Sequence, residues 1–513
     1  METSLGRRAF VGGLSFGALA LIDPAGLHRL LRLRARAYPF ALGVASGDPA
    51  ADGFVLWTRL APDPLSDGGM PPSPVEVRWE VAADEGMSRV VRRGTAAAHP
   101  DLAHSVHVEV QGLDPDRWYW YRFMAGGEAS PVGRSRTMPK AGTAPDQFPF
   151  AFVSCQHYEQ GLYTAYEHLA REDLRLVAHL GDYIYEDGAI AGRVRRHGDH
   201  EIVTLADYRA RYALYKTDPA LQAAHQSVPW VLTWDDHEVD NNYAGEHSEA
   251  DAPVAEFLRR RAAAYQAYYE HQPVRASARP RGPEARLFRT IDVGTLARFF
   301  VLDTRQYRTD QPCGDRQKEP CAGTYDPAAT MMGATQERWL FDGLAANRAR
   351  WNVVAQQVLF SRLDSEPGPA ERYNMDNWNG YQAARKRAID AIAERGRGST
   401  VVLTGDIHSN WACDIKRNFA EPTSDTIGVE LVGTSISSGG DGVDAFPNSD
   451  ATLAENPHIK FTNSRRGYVR CRFDQKQWLA DYRVVPYVTR PGAPISTARS
   501  FRIEAGRPGL EDA

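Results

Sequence analysis

The chain has 513 residues, of which 43% are hydrophobic and 24% are charged. This is enough apolar material for two hydrophobic cores and predicts a soluble globular protein. The formal net charge is -5 and the isoelectric point is about 6.3, which excludes a chain-wide basic surface for nucleic acid or anionic membranes, so any attraction for phosphate must be local.

The first 37 residues differ in kind from the rest. Arg7 and Arg8 precede a weakly apolar stretch that runs to Ile22, and further arginines lead to small residues at 35 and 37. The apolar stretch is shorter than the roughly 20 residues that a membrane span needs. We predict that residues 1–37 are a twin-arginine export signal, with the translocation machinery as a partner and a periplasmic or extracellular destination. A frayed basic terminus is the alternative.

Residues 38–140 have the pattern of a β-domain. Alternating apolar positions separated by turn residues predict strands at 75–81, 90–97, 106–110 and 118–124. A Gly112-Leu113-Asp114-Pro115 turn precedes Tyr119 and resembles the tyrosine corner of immunoglobulin and fibronectin type III domains. We therefore predict a β-sandwich, followed by a linker at 140–147.

From residue 141 onward, strands alternate with helices. Compact apolar runs of the buried-strand type occupy 148–154, 174–180, 230–234, 298–302, 352–356 and 400–404. Helical periodicity marks 205–226, 254–270, 335–348 and 381–394. Late strands at 428–433 and a hairpin over 468–485 indicate a second, mixed sheet. The sequence therefore predicts an α/β domain over 141–513, so that two domains follow the leader.

Four polar motifs each follow one of these apolar runs. This placement predicts that they gather at the carboxyl edge of a sheet, where the sites of α/β proteins lie. The motifs are Ser154-Cys155-Gln156, Gly181-Asp182-Tyr183-Ile184-Tyr185, the 234–238 segment with Asn241 and Asn242, and Gly405-Asp406-Ile407-His408.

The second motif carries the most specific signal. Asp182 ends a strand, where its carboxylate can bridge two cations, and Tyr185 can reach one of them as a phenolate. Phenolate and thiolate donors favour Fe(III), because a higher charge is needed to keep the tyrosine deprotonated at neutral pH. A strand-end turn with packed aromatic rings is the alternative.

The other motifs supply further donors. Asp406 and His408 are two positions apart, so on extended chain they share a face. The 234–238 segment crowds three carboxylates around His237, which is costly unless a cation neutralises them; a solvated acidic loop is the alternative. Cys155 alone is more often a buried small hydrophobe, but beside Asp182, Tyr185 and His408 it completes four donors for one metal.

These motifs resemble those of the PhoD family of alkaline phosphatases, relatives of the purple acid phosphatases among the calcineurin-like metallophosphoesterases. Residues 43–49 and 55–59 resemble the family's N-terminal domain, and 302–308 its catalytic half. The resemblance implies an immunoglobulin/fibronectin-III-like β-sandwich followed by a four-layer α/β/β/α metallophosphoesterase domain.

The resemblance also implies a site. Its iron ligands would be Cys155, Asp182, Tyr185 and His408, and its calcium ligands Asp182 as a bridge, Asp236, Asn242 and Asp406. His237 and Arg305 would face the phosphate. The choices between Asp235 and Asp236, and between Asn241 and Asn242, stay open.

The implied function is a secreted alkaline phosphatase that hydrolyses phosphate monoesters, and also diesters, by metal-activated hydroxide attack at an Fe(III)/Ca(II) centre. Arg305 would bind phosphoryl oxygens, and His237 would serve as the leaving-group acid. A phosphodiesterase, including a phospholipase D-like enzyme, is the rival within hydrolases. A non-enzymatic secreted phosphate-binding protein is the rival from another class, although such proteins rely on amides and arginines rather than a thiolate and a phenolate.

The cysteines outside the motifs also carry expectations. Cys313 and Cys321 lie in a loop rich in glycine, proline and charge, and we predict that they form a disulfide. Cys413 and Cys471 either pair or remain buried thiols.

Overall fold

The computed structural model describes residues 38–513. The predicted export signal at 1–37 lies outside the described residues. Within residues 38–513, no helix combines the length and the apolar character that a membrane span requires.

Strands make up most of the regular structure. In chain order they are β1 (Val44–Ala50), β2 (Gly53–Arg59), β3 (Val75–Ala82), β4 (Val90–Ala98), β5 (Ser105–Val110), β6 (Trp118–Ala125), β7 (Glu128–Ala129), β8 (Gly133–Arg136), β9 (Phe148–Val153), β10 (Val177–His179), β11 (Trp230–Leu232), β12 (Arg289–Val293), β13 (Ala297–Val301), β14 (Gln317–Lys318), β15 (Trp351–Ala355), β16 (Tyr373–Asn374), β17 (Thr400–Thr404), β18 (Asn410–Lys416), β19 (Thr426–Val432), β20 (Ile459–Asn463), β21 (Arg466–Phe473), β22 (Gln477–Val485), β23 (Ser496–Glu504) and β24 (Arg507–Asp512).

The helices fall mainly in the second part of the chain. They are α1 (Thr164–Leu169), α2 (Leu205–Lys216), α3 (Pro219–Ser227), α4 (Val254–His271), α5 (Gly333–Ala346), α6 (Gln382–Arg395) and α7 (Ser449–Glu455). The single helix expected over 205–226 is two helices, because Asp218 caps the N-terminus of α3 through its side chain and Pro219 occupies the first turn.

Two large sheets carry the polar motifs. The first has ten strands in the order β24-β23-β22-β21-β9-β10-β11-β1-β2-β5, and β9, β10 and β11 run parallel to one another. The second has seven strands in the order β12-β13-β15-β17-β19-β18-β20, of which β13, β15, β17 and β19 are parallel. These parallel strands are buried along almost their whole length, as strands covered on both faces should be.

Three hydrophobic cores hold the two sheets and their helices. One core contains Phe150 of β9, Phe299 of β13 and Leu403 of β17, so it draws on both sheets. A second combines side chains of the ten-stranded sheet with those of α1 to α4. A third combines the seven-stranded sheet with α5 and α6. The expected mixed α/β fold with several sheets is confirmed.

The N-terminal strands divide between two sheets. Strands β3, β4, β6, β7 and β8 form a five-stranded sheet, whereas β1, β2 and β5 belong to the ten-stranded sheet through the parallel pairing of Gly47 with Trp230. One apolar core combines Leu56 and Val108 with Val77, Tyr121 and other side chains of the five-stranded sheet. The hydroxyl of Tyr119 accepts the backbone N–H of Asp114 at 2.9 Å, which is the contact that a tyrosine corner makes.

The cysteines adopt two states. Cys313 and Cys321 form the expected disulfide. Cys155, Cys413 and Cys471 are free and buried, so the second pairing considered from the sequence does not form.

Candidate metal centre

The four polar motifs lie at the carboxyl ends of parallel strands. The Cys155 motif follows β9, the Asp182 motif follows β10 and the 234–238 segment follows β11, three neighbours in the ten-stranded sheet. The Asp406 motif follows β17 in the seven-stranded sheet. The centre therefore draws ligand groups from both sheets.

Two glycines allow these loops to approach one another. A Cβ atom at Gly181, whose φ is +110°, would lie 2.4 Å from Cβ of Asp235, and one at Gly405 would lie 2.5 Å from Oγ of Ser154. The first contact joins the ends of β10 and β11. The second joins the ends of β17 and β9 and thus the two sheets. No larger residue fits at either position without moving a motif.

Many of the candidate ligands have a left-handed backbone. The φ angles are positive at Cys155 (58°), Asp182 (59°), Asn242 (51°), Asp406 (65°) and His408 (51°). Such conformations cost on the order of 1–3 kcal/mol at residues other than glycine and persist only where surrounding structure enforces them. Four of these five residues, Cys155, Asp182, Asp406 and His408, belong to groups whose ligand atoms lie close together.

The candidate iron ligands lie side by side. Ligand atoms of Cys155, Asp182 and His408 all fall within 4.8 Å of one another. The hydroxyl of Tyr185 lies 3.0 Å from Oδ2 of Asp182 and 3.1 Å from Nε2 of His408. The structure therefore brings together the four residues that the sequence suggested for one metal. Ser438 lies behind them, with its Oγ 2.7 Å from the Tyr185 hydroxyl.

Two further ligand groups extend from this one, each within the same 4.8 Å limit. One contains Asp182, Asp236 and His237, and the other contains Asp235, Asp236 and Asp406. Asp182 belongs to the first two groups and Asp236 to the last two, so both carboxylates are shared. The groups form one continuous row, as expected of a centre with more than one cation.

Orphaned oxygens in this row indicate that the residues fit a cation. Asp182 Oδ1, Asp235 Oδ2 and Asp236 Oδ1 are buried and accept no hydrogen bond within the described part of the chain. A buried carboxylate oxygen without a hydrogen-bond donor is costly, because it has lost its water; of these three, Asp236 Oδ1 has a charged neighbour in Nη2 of Arg305 at 3.4 Å. A cation among these atoms would restore what they lack.

Burial also shifts the pKa values of the candidate ligands. Burial raises the pKa of the Cys155 thiol, the Asp182 carboxyl, the Tyr185 phenol and the Asp406 carboxyl well above their ordinary values. Burial, and then the charge of Arg466, lowers the pKa of His408 to about 3, so its imidazole is neutral and able to bind a metal. A metal must displace protons from the acidic ligands, so its affinity should increase with pH.

His237 lies at the partly exposed mouth of the site. Its Nδ1 is 2.7 Å from Oε2 of Glu186, and Oε1 of the same carboxylate accepts the backbone N–H of Asn241. Burial opposes protonation of His237, but the charges of Glu186, Asp236 and Asp182 outweigh it and raise its pKa well above the ordinary value. With Nδ1 engaged, Nε2 is the nitrogen that can act on a substrate.

Arg305 is fully buried beneath the carboxylates. Its Nε donates to Asp235 at 2.5 Å, its Nη1 donates to Asp376 at 2.8 Å, and its Nη2 lies 3.4 Å from Asp236. The sequence led us to expect that this guanidinium faces the phosphate. In the structure it is a counter-ion to three carboxylates, and Nη2 is the nitrogen that lacks a hydrogen bond.

Asn241 and Asn242 occupy different positions. The backbone N–H of Asn242 donates to Asp236 Oδ2 at 2.7 Å, whereas that of Asn241 donates to Glu186. Asn242 is therefore the asparagine beside the shared carboxylate. Asp235 and Asp236 also differ in their contacts with Arg305, which lies 2.5 Å from Asp235 and 3.4 Å from Asp236.

Sequence reasoning did not identify the residues that hold the ligands in place, and it counted Glu238 among the three carboxylates that a cation would neutralise rather than as a support. The Glu238 carboxylate accepts the backbone N–H groups of Asp182, Tyr183 and Asp235, and so ties the ends of β10 and β11 together. Glu186 and Asp376 were also overlooked. The position of Glu186 directly after Tyr185 was a usable signal, whereas no local pattern marks Asp376.

Known proteins resemble this chain over nearly its whole length. The model of the PhoD-like phosphatase family matches residues 150–482, and that of the PhoD-like phosphatase N-terminal domain matches residues 27–139. Alkaline phosphatase D of Bacillus subtilis (strain 168) is 53% identical over 506 residues, which are 98% of this chain and 87% of that protein. A solved structure titled "Structure of PhoD" is 52% identical with a TM-score of 0.92, and the match covers 93% of this chain and 92% of that chain.

Proposed function

This chain belongs to the PhoD-like phosphatase family and is a phosphoric ester hydrolase, and we propose that its catalytic centre holds Fe(III) and Ca(II). The proposed iron ligands are Cys155, Asp182, Tyr185 and His408. The proposed calcium ligands are Asp182, Asp236, Asn242 and Asp406. The observation that carries this proposal is the convergence of a thiol, a phenol, an imidazole and a shared carboxylate at the end of β10.

The chemistry of the donors supports two different cations. Thiolate and phenolate are the donors of a higher-valent transition metal, and they lie at one end of the row. Carboxylate and amide oxygens are those that calcium prefers, and they lie at the other. Asp182 belongs to the group with Cys155 and His408 and also to the middle group with Asp236, which supports its role as the bridge.

When bound, these cations would lower the pKa of water and offset the charge of the phosphoryl oxygens. His237 would donate a proton from Nε2 to the leaving oxygen while Glu186 holds its Nδ1. Arg305 would hold Asp235 and Asp236 close together as their counter-ion, and so would act on the phosphate through these carboxylates. The proposed substrates are phosphate monoesters, and diesters as well.

Finer features of the architecture belong to the same proposal. We assign residues 38–140 to a β-sandwich domain, supported by the apolar core that its two groups of strands share. We assign 141–513 to a four-layer α/β/β/α catalytic domain, supported by the three successive cores of sheets and helices. Residues 1–37 would direct export by the twin-arginine route, and an Arg7→Lys/Arg8→Lys variant should then accumulate inside the cell.

Metal analysis of the natively produced protein tests the centre. We expect about one iron per protein, a visible tyrosinate-to-iron absorption band, and the loss of both in Tyr185→Phe. Tyr183→Phe is the matched control, because Tyr183 lies in the same motif but its hydroxyl bonds His225 instead of the ligands. Full activity with zinc alone, or a band that survives in Tyr185→Phe, would overturn the iron assignment.

Substrate comparison tests the reaction class. Turnover of 4-nitrophenyl phosphate and of its bis ester should both be measurable in metal-replete protein, with the monoester preferred. A strong preference for the diester would reassign the chain as a phosphodiesterase. No hydrolysis of either ester would favour a phosphate-binding protein.

A further inference from the structure

A disulfide-closed loop lies against the Asn242 side of the centre. This loop, residues 310–321, contains the Cys313–Cys321 bridge. Asp315 within it accepts a hydrogen bond from Nδ2 of Asn242 at 2.7 Å. Gln311 donates through Nε2 to the backbone carbonyl of Asn242 at 2.5 Å and to Asp376 at 2.8 Å. None of these contacts could be read from the sequence, because the partners are far apart along the chain.

Within residues 38–513, hydrogen bonds engage every polar atom of Asn242 except the side-chain oxygen Oδ1. Its backbone N–H donates to Asp236, its backbone carbonyl accepts from Gln311, and its side-chain NH2 donates to Asp315. Within the described residues, Oδ1 has no hydrogen-bond partner. The left-handed φ of 51° is one that asparagine tolerates better than most residues.

The carboxylate of Asp315 determines which polar atom of the Asn242 side-chain amide remains without a hydrogen bond. An asparagine side chain donates from its NH2 group and accepts at its oxygen, and a carboxylate can bond only to the NH2 group. With Nδ2 held by Asp315, Oδ1 points the other way. A hard cation such as calcium binds oxygen, and a flipped amide would present two N–H groups to it instead.

We infer that Asp315 is a positioning residue that presents Oδ1 of Asn242 to calcium, with the disulfide loop as its support. This inference rests on the proposed function, because it takes Asn242 to be a calcium ligand. Asp315 would also place a negative charge in direct contact with a ligand of the proposed cation. Groups that orient metal ligands in this way typically contribute 10–100-fold to metal affinity.

The test is a calcium titration of the full-length, iron-loaded protein after treatment with EGTA. Calcium binding is followed by isothermal titration calorimetry and by the rise in unfolding temperature. Asp315→Asn leaves the amide orientation undetermined, and we expect it to weaken calcium binding by about tenfold. The visible iron band should not change, because Asp315 contacts none of the iron ligands.

Asp310→Asn is the matched control. It removes the same charge from the same loop, but Oδ1 of Asp310 bonds only the backbone N–H of the next residue. Its calcium affinity should stay within about twofold of the native value. Equal losses in the two variants would show that charge alone matters and would overturn the inference.

A polarity swap separates positioning from loop stability. In the double variant Asn242→Asp/Asp315→Asn the new amide donates to the new carboxylate, so the hydrogen bond and the net charge are kept and an oxygen still faces the cation. We expect the double variant to bind calcium more tightly than Asp315→Asn does, and calcium-free unfolding temperatures that match in native, single and double variants. A calcium-free unfolding temperature that falls in Asp315→Asn would assign the residue a merely structural role.

The outcomes distinguish this inference from the proposed function. If the native protein does not bind calcium, the calcium half of the proposed function fails and the inference fails with it. If the native protein binds calcium and Asp315→Asn binds it equally well, only the inference is wrong.

Discussion

Replacement of Glu238 by glutamine should loosen two ligand loops at once. The buried carboxylate accepts the backbone N–H groups of Asp182 at 3.0 Å, Tyr183 at 2.8 Å and Asp235 at 2.9 Å. One oxygen takes a single N–H and the other takes two. These bonds fix the backbone of Asp182, the proposed bridging ligand, relative to Asp235. Their loss should therefore lower both the stability of the protein and its metal content.

The magnitude follows from the count of donors. Glutamine offers one oxygen and one NH2 group, so at least one buried N–H loses its acceptor and faces another donor, which costs about 1–3 kcal/mol. The remaining bonds lose their charge assistance, roughly 1 kcal/mol each. The sum for one unpaired N–H and two weakened bonds is about 3–5 kcal/mol, set against a typical total stability of 5–15 kcal/mol. The variant should therefore fold but be substantially destabilised.

The measurements are urea unfolding of iron-loaded protein, iron content and turnover of 4-nitrophenyl phosphate, all at about pH 9, where the Glu238 carboxyl is ionised because its pKa is about 8. We expect an earlier unfolding transition, less iron per protein and lower turnover. Glu246→Gln is the control, because it makes the same substitution at an exposed position of the same segment. If Glu238→Gln unfolds with the native protein and retains its iron, the carboxylate does not hold the loops and the reasoning is refuted.

Three other outcomes are expected. Burial raises the pKa of Asp235 to about 7 and that of Glu238 to about 8, so metal-free protein keeps protons that the unfolded chain releases near pH 4. Buried histidines such as His179 and His408, whose pKa values are lowered to about 3, act in the opposite direction below about pH 7, because only the unfolded chain protonates them there. The unfolding temperature of metal-free protein should therefore fall as the pH rises from about 7.5 to about 9, and a flat profile in that window would contradict this. Asp376→Asn removes the carboxylate that pairs with the buried side chains of Arg305 and Arg308. It should lower the free energy of unfolding in urea by about 3–5 kcal/mol. A decrease below about 1 kcal/mol would mean that other contacts of the two arginines compensate. His237→Gln should lower kcat by about 10²–10⁴-fold on alkyl phosphates. The decrease should be much smaller on 4-nitrophenyl phosphate, because its leaving group needs little protonation. Equal decreases in kcat on both substrates would exclude a role for His237 as the acid.

Local patterns in the sequence predicted most of the strands and helices. The run at 400–404 is the strand β17 residue for residue, because five consecutive apolar or β-branched residues between a glycine-rich turn and a Gly-Asp pair leave little choice. The helix expected at 205–226 was wrong only where Asp218 and Pro219 interrupt it. The pairing of β1 with β11 could not be predicted, since it joins residues 47 and 230 through tertiary contacts alone.

The sequence could predict the proposed ligands but not the residues that support them. Asp182 and Asp406 each stand next to a glycine directly after an apolar run, and that local signal placed both at strand ends. Glu238, Asp376 and Asp315 act through partners on other loops. The sequence placed Glu238 in a cluster of carboxylates without showing that its partners are backbone N–H groups, and it gave no sign of the partners of Asp376 and Asp315, so only the folded chain reveals these supporting roles.

The supporting bonds also determine what a cation does at this centre. Cys155 donates its backbone N–H to Gly181, and the next residue donates to Asp182, so the ends of β9 and β10 are tied by direct contacts. Glu238 ties the end of β10 to that of β11 in the same way. Because these bonds do not pass through a metal, they hold the ligand loops together without a contribution from a cation. In small zinc domains the metal drives folding itself. Here its binding replaces protons on buried acids in a scaffold that is already assembled, so pH and metal concentration act on the same few side chains.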